Sequence, residues 1–167
     1  IFSIKNSGFD FCTLFYEDLI FIVDNCIVEN VGTSFMRANR AANNAHKLNL
    51  IKVSSSILRN HSVDNYHIFH LDKLEFREIE ITNSTFSSIG SRGFIGWATN
   101  LTMPFTPKIT IDRISLNGFG SRNRNDNLLD ANNNLIEFSM TNSIITNMPY
   151  EDQTVGGRLV RANSSSQ

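Results

Sequence analysis

Acidic side chains recur at matching places in short segments of alternating apolar and polar residues. Glu80 stands inside one such segment, and Asp112 stands near the end of the next. If the two segments are adjacent parallel strands, these carboxylates would lie roughly 8 Å apart on one face. Carboxyl groups separated by ~6.5 to 9.5 Å can act as the acid and base of an inverting glycosidase. Glu80 and Asp112 are therefore the candidate catalytic residues.

The same face carries lysines among the carboxylates. Lys52 would stand beside Glu80, while Lys108 would fall between Glu78 and Glu137. An interposed ammonium group neutralises a carboxylate and disfavours Ca²⁺, which prefers a concentration of oxygen ligands. The pattern thus favours an exposed face of ion pairs over an active site. No cofactor is expected, and Ca²⁺ would be expected only if the protein were a lyase.

A second set of candidate residues lies in the less regular segments between the repeats. Arginines can form bidentate contacts with acidic sugars, and tyrosines can stack on a sugar ring. The candidate carbohydrate-binding residues are Tyr66, Arg122, Arg124, Tyr150 and Arg158. The alternative is that they are ordinary solvated side chains.

Other catalytic chemistry has little support in the sequence. The metal motif HExxH, the phosphate-binding loop GxxxxGK[ST] and the nucleophile elbow GxSxG are all absent. His61 and His70 fall at the edges of predicted strands and are interpreted as structural. Cys12 and Cys26 are expected to be buried free thiols, although a disulfide between them stays open.

Composition narrows the classes of partner. The chain of 167 residues carries a net charge of -1 and lacks a dense run of Lys or Arg, which argues against nucleic acid as the main partner. No stretch approaches 18 consecutive apolar residues, so no transmembrane segment is predicted. A hydrophobic content of 41% can support the core of a single domain, taken as residues 1–167.

The elements that must position these residues form an internal repeat. Apolar residues return at intervals of 30, 28, 30 and 29 positions. The column is Val23, Val53, Ile81, Ile111 and Met140. Two residues earlier in each unit is another apolar residue, and the residue between them is mostly polar, which is the period-two pattern of a strand.

Each unit supplies three short strands that cannot bury their apolar sides alone. The first strand is followed by a turn, a second strand with a small residue at its start, and a third apolar stretch such as "FMRAN", "IFHLD" or "LVRAN". Stacking successive units lets each strand pair with its counterparts above and below. The sequence therefore predicts an all-β, right-handed parallel β-helix with three strands per coil and about five to six coils of ~29 residues.

Two other folds explain the pattern less well. An antiparallel sandwich would need hairpin turns such as Asn-Gly at matching places. A leucine-rich repeat has a shorter period and its own Leu/Asn spacing. Neither signal is present, and the Ile, Val, Phe and Thr of the columns disfavour helices.

The corner segments "DNCIVENV", "TNSTFSSI" and "TNSIITNM" resemble those of the right-handed parallel β-helices of the pectate-lyase-like superfamily. More narrowly, the Asn-Cys or Asn-Ser corners and the "RAN" strand ends look like an uncharacterised family of surface proteins from Gram-negative gut bacteria. The resemblance implies export, with a periplasmic or outer-surface location, and association with polysaccharide. Among the enzymes of this superfamily, the lyases use an acidic Ca²⁺ cluster and a basic residue, while the hydrolases use paired carboxylates.

The leading hypothesis from the sequence is a noncatalytic, exported β-helix module that binds polysaccharide, which could be acidic, through the segments at 120–127 and 149–158. A polysaccharide lyase or hydrolase and a structural or adhesin segment are the alternatives. The chain is expected to be a fragment of a longer exported protein, because neither end supplies an obvious cap. Its open ends could contact other chains or a missing segment.

Overall fold

The computed structural model describes residues 2–5, 9–10, 19–32, 34–38, 46–61, 67–72, 74–89, 93–97, 104–118, 127–132, 135–147 and 158–162. Within these ranges the chain forms three parallel sheets and no helix. The confirmed prediction is an all-β parallel solenoid with three strands in each coil. No helix that could span a membrane occurs among these residues.

The first sheet has five strands. They are β3 (Ile20–Asp24), β6 (His46–Ser54), β9 (Leu74–Thr82), β12 (Lys108–Asp112) and β15 (Glu137–Thr141). Neighbours in the sheet come from successive coils, so Val23 pairs with Val53 and Ile81 pairs with Ile111. This register is the one that the repeat predicts.

The second and third sheets have six strands each. The second contains β1 (Phe2–Lys5), β4 (Cys26–Glu29), β7 (Ile57–His61), β10 (Thr85–Ile89), β13 (Ser115–Asn117) and β16 (Ile144–Thr146). The third contains β2 (Phe9–Asp10), β5 (Met36–Arg37), β8 (His67–His70), β11 (Gly93–Gly96), β14 (Asn127–Asn132) and β17 (Arg158–Ala162).

The turn between the first and second sheets uses one residue in the left-handed region. Its φ angle is 47° at Asn83 and about 50° at the equivalent residues. These are Asn25, Ser55, Asn83, Arg113 and Asn142. Asn tolerates this conformation better than most residues, because its short polar side chain can bond locally. Positive φ therefore explains the corner asparagines.

The corner amides do reach neighbouring coils, but they bond mainly to other groups. Asn142 donates from Nδ2 to Oδ1 of Asp112 at 2.9 Å, and Nε of Arg113 donates to Oδ1 of Asn83 at 2.8 Å. One amide-to-amide contact joins Asn147 to Asn117 at 2.7 Å, at the far end of the second strand. The corners are thus cross-linked along the stacking direction by mixed polar pairs.

The core lies between the three sheets and contains the predicted inward columns. Phe69 makes edge-to-face contacts with Phe35 and Phe94, each with ring centroids 5.4 Å apart. Trp97 is fully buried, packs against Phe76 and donates from Nε1 to the carbonyl of Leu74 at 2.9 Å. Trp97 is therefore a core residue and has no surface on which a sugar ring could stack.

Candidate functional site

The outer face of the first sheet holds the predicted carboxylates in ion pairs. Nζ of Lys52 lies 3.1 Å from Oε2 of Glu80, and Nζ of Lys108 lies 3.3 Å from Oε1 of Glu78. Lys108 also pairs in register with Glu137. The expected surface of alternating charges is confirmed at these positions. On the second sheet, Arg59 and Glu29 of neighbouring coils form a similar ion pair.

Asp112 is held as a carboxylate by its neighbours. Its Oδ1 accepts a hydrogen bond from Asn142 and another from Oγ1 of Thr141 at 2.8 Å, while its Oδ2 lies 3.0 Å from Arg113. The bonds from Asn142 and Thr141, followed by the charge of Arg113, hold the pKa of Asp112 below its ordinary value. This environment suits a base or a structural anion, whereas an acid catalyst needs a raised pKa.

Glu80 and Asp112 occupy diagonal positions on adjacent strands. Glu80 pairs in register with Thr110, and Asp112 pairs with Thr82, two residues further along. The predicted pair therefore shares one face, with each carboxylate bound to a different coil: Glu80 to Lys52 in the preceding coil and Asp112 to Asn142 in the following one. These contacts favour a role in holding the stack together.

The predicted loop residues can be placed only in part. Tyr66, Arg122, Arg124 and Tyr150 lie outside the described residues. The backbone of Arg158 begins β17 and pairs in register with Asn127. The later connections from the second sheet to the third run from 61 to 67, 89 to 93, 118 to 127 and 147 to 158, and each leads to the first residue of a third-sheet strand. We call the side of the third sheet formed by these strand starts the contact edge.

From the sequence His70 was predicted to be structural, but the row of polar residues to which it belongs on the third sheet was not recognised as a unit. Trp97 and its register neighbours point into the core, so the preceding residue of each coil faces outward. These preceding residues are Arg37, His70 and Asp130, with Gly96 between His70 and Asp130 in the register. We call them the third-sheet polar row. The sequence contained a signal for this row, because each of its residues directly precedes an Ala, Leu or Trp when the third strands are aligned.

Two members of this row are buried although they face outward. His70 and Asp130 are only 8% and 3% exposed, and Nε2 of His70 lies 3.3 Å from Oδ2 of Asp72. Buried ionisable groups are uncommon unless they are bonded to partners. They distinguish this face from the first sheet, where the charged groups are largely in contact with water.

Glycines give the third sheet room for a second histidine. The ring of His67 stacks on that of His70, with centroids 5.9 Å apart and planes inclined by 15°. A Cβ atom on Gly96 would lie 2.1 Å from Nδ1 of His67, and one on Gly93 would lie 2.8 Å from its Cδ2. Gly96 is therefore required by the close approach of this imidazole, and Gly93 by the still closer carbonyl oxygen of Asn127 as well as by the imidazole.

The described residues contain no group of three or more His, Cys, Asp or Glu side chains placed to hold a metal ion. Cys26 is a free, half-buried thiol whose Sγ lies 3.1 Å from the carbonyl oxygen of Asp24. Cys12 lies outside the described ranges.

No family model, curated protein sequence or solved structure matches this chain. We therefore describe the fold as a parallel β-solenoid.

Proposed function

We propose that this protein is a noncatalytic, exported β-helix module that binds polysaccharide, of the pectate-lyase-like type. The proposed contact edge is the one where the second-to-third connections enter the third sheet. Arg122, Arg124, Tyr150, Arg158 and Tyr66 would contact the glycan, and the buried polar residues at the starts of the third-sheet strands, His67 and Asn127, would form the base of this edge. A periplasmic or outer-surface location in a Gram-negative bacterium is part of the proposal.

One observation carries the proposal. Several connections, two of them long, lead to strands of the same sheet whose first residues include the buried polar side chains of His67 and Asn127. Insertions on one face of a repeat array commonly form its binding face. A binding site also needs a small number of polar groups held in place, and this edge combines them with arginines and tyrosines.

A noncatalytic role is favoured by the surroundings of the acidic residues on the first sheet. Glu80 is bound to Lys52, and Asp112 accepts two hydrogen bonds that keep it ionised. A glycosidase would need one of the two carboxyl groups to remain protonated near neutral pH. Binding without turnover is therefore the expected outcome of an assay with polysaccharide substrates.

Affinity electrophoresis through gels containing a polysaccharide tests this proposal. The wild-type chain should be retarded by at least one acidic polysaccharide, and the double variant Arg122→Ala, Arg124→Ala should migrate as in a gel without it. Arg59→Ala is the matched control, since this arginine lies on the second sheet and pairs with Glu29. Equal retardation of the wild-type protein and the double variant would rule out the proposed edge.

A lyase or hydrolase is the second candidate, because Asp130 and His70 are both buried ionisable residues on the third sheet. The same polysaccharides should be incubated with the protein, with and without Ca²⁺. Release of reducing ends, or a rise in the absorbance of unsaturated uronate, would favour the enzyme over the binding module.

A structural or adhesin segment is the third candidate. Ile144 in the last coil is 63% exposed, and Phe138 and Met140 are only partly buried. An edge strand with apolar side chains can pair with another chain. A molecular mass in solution that rises with protein concentration would favour this function.

A further inference from the structure

A pocket of about 260 Å³ lies at the start of the first sheet, on the corner that follows the third sheet. It is lined by Lys47, Leu48, Asn49, Glu75, Arg77, Pro104 and Phe105. We call it the bend pocket. It is separate from the second-to-third connections, because its residues belong to the starts of β6 and β9 and to the segment before β12.

Two unusually long strands create this pocket. β6 and β9 each contain nine residues, whereas the other strands of the first sheet contain five. In β9 the alternation is interrupted, since Arg77 and Glu78 are both outside the core between buried Phe76 and Ile79. β6 has the same interruption between Leu48 and Ile51. At this interruption of the alternation, which gives the pocket its name, Asn49 and Arg77 both line the pocket.

Arg77 is held in a defined position in the bend pocket. Its guanidinium carbon lies 4.5 Å from the centroid of the Phe105 ring, a cation–π contact between two coils. A guanidinium group that stacks on a ring keeps its in-plane N–H donors for a planar, bidentate acceptor. A carboxylate is the acceptor that matches this geometry best.

The rest of the lining adds three kinds of contact. Lys47 pairs in register with Glu75, which places a second cation and one anion on the pocket wall. The carboxylate of Glu75 and the amide of Asn49 can bond to hydroxyl groups. Pro104 and Phe105 offer an apolar surface to the face of a ring.

We infer that the bend pocket binds a single carboxylate-bearing ring with hydroxyl groups, of the size of one hexuronic acid. The carboxylate meets Arg77 and Lys47, the hydroxyl groups meet Glu75 and Asn49, and one ring face packs on Pro104. The volume suits one ring, because pockets for drug-sized ligands begin at roughly 300 Å³. This inference does not depend on glycan binding at the third sheet.

Isothermal titration calorimetry with three small molecules tests the pocket. D-glucuronate carries a carboxylate and hydroxyl groups on one ring. Glucose lacks the carboxylate, and cyclohexanecarboxylate lacks the hydroxyl groups. Glucuronate should bind more tightly than either of the others. Arg77→Ala should weaken glucuronate binding by about tenfold or more, because a hydrogen bond to a charged group is lost. Arg77→Lys should retain part of the affinity, since it keeps the charge without the planar fork.

Arg59→Ala is again the matched control, because Arg59 is an exposed arginine away from the pocket. The affinity of this variant for glucuronate should equal that of the wild type. Circular dichroism of each variant establishes that the fold is retained. The inference is overturned if glucuronate does not bind, if either partial analogue binds as well as glucuronate, or if folded Arg77→Ala binds as tightly as the wild type.

Discussion

The hydroxyl oxygen of Ser56 lies 3.1 Å from the backbone nitrogen of Cys26, in the preceding coil. The hydroxyl accepts this N–H bond and donates to the carbonyl of Ser54 at 2.7 Å. Ser84 makes the equivalent pair of bonds to the nitrogen of Ser56 and the carbonyl of Thr82. A small hydroxyl at the start of the second strand therefore links the backbones of successive coils.

Ser84→Ala should destabilise the protein by about 1 to 3 kcal/mol, because the buried N–H of Ser56 loses its acceptor. The free energy of unfolding can be measured by urea denaturation. Ser139→Ala is the matched control, since Ser139 is exposed on the first sheet and its loss should change stability by no more than about 0.5 kcal/mol. Equal effects of the two substitutions would show that the serine link contributes nothing.

Ser55→Gly should raise the free energy of unfolding by about 0.5 kcal/mol. Ser55 is exposed and has a φ angle of 50°, a conformation that is costly for a side chain with a Cβ atom. Glycine removes this cost, although the unfolded chain gains some entropy. The same change at Ser139, within strand β15, should instead lower stability. If both variants are destabilised to the same extent, the left-handed turn does not explain the corner column.

The contribution of Asp112 to stability should depend on acidity. Its pKa is lower in the folded protein than its ordinary value, so its stabilising effect is present above the ordinary pKa and is lost as the pH falls through the folded pKa. The difference in unfolding free energy between wild type and Asp112→Asn should therefore shrink from pH 6 towards pH 3. Denaturant midpoints across this range measure it. A constant difference would mean that the ionised carboxylate is not the stabilising form.

Removing the main hydrogen-bond donor should shift the same pKa. In Asn142→Ala the carboxyl pKa of Asp112 should rise towards its ordinary value, as followed by NMR titration, because the bond from Asn142 is the largest cause of the lowering. Asn147→Ala, at the other end of the second strand, should leave that pKa unchanged.

Gly96→Ala should destabilise the protein by about 1 to 3 kcal/mol, since the added methyl group would collide with the ring of His67. His67→Ala removes that ring, so adding it to Gly96→Ala should cost less than the two separate effects combined. Gly32→Ala is the control, because a Cβ atom there meets nothing within 4 Å. Additive effects of Gly96→Ala and His67→Ala would contradict the proposed contact.

The fold could be predicted because its physical cause repeats along the chain. Val53, Ile81 and Ile111 recur near one interval, and parallel stacking is what buries them. The ion pair of Lys52 with Glu80 followed from the same alignment. Every coil repeats these constraints, so no single irregular residue could hide them.

The candidate sites were harder to predict because they depend on departures from the repeat. The bend pocket needs a change of phase at Arg77 and a phenylalanine, Phe105, from a different coil. His70 and Asp130 come from separate third strands, and the repeat alone did not indicate that both are buried. Only the three-dimensional stack brings such residues to one face.

Hydrogen–deuterium exchange with and without an acidic polysaccharide that retards the protein tests the proposed contact edge most directly. Bound glycan should slow exchange in the connections at 62–66, 119–126 and 148–157, which lead into the third sheet. Exchange in β10 and β13 of the second sheet should be unchanged. Protection confined to the second sheet, or no protection of the connections at saturating polysaccharide, would contradict the account.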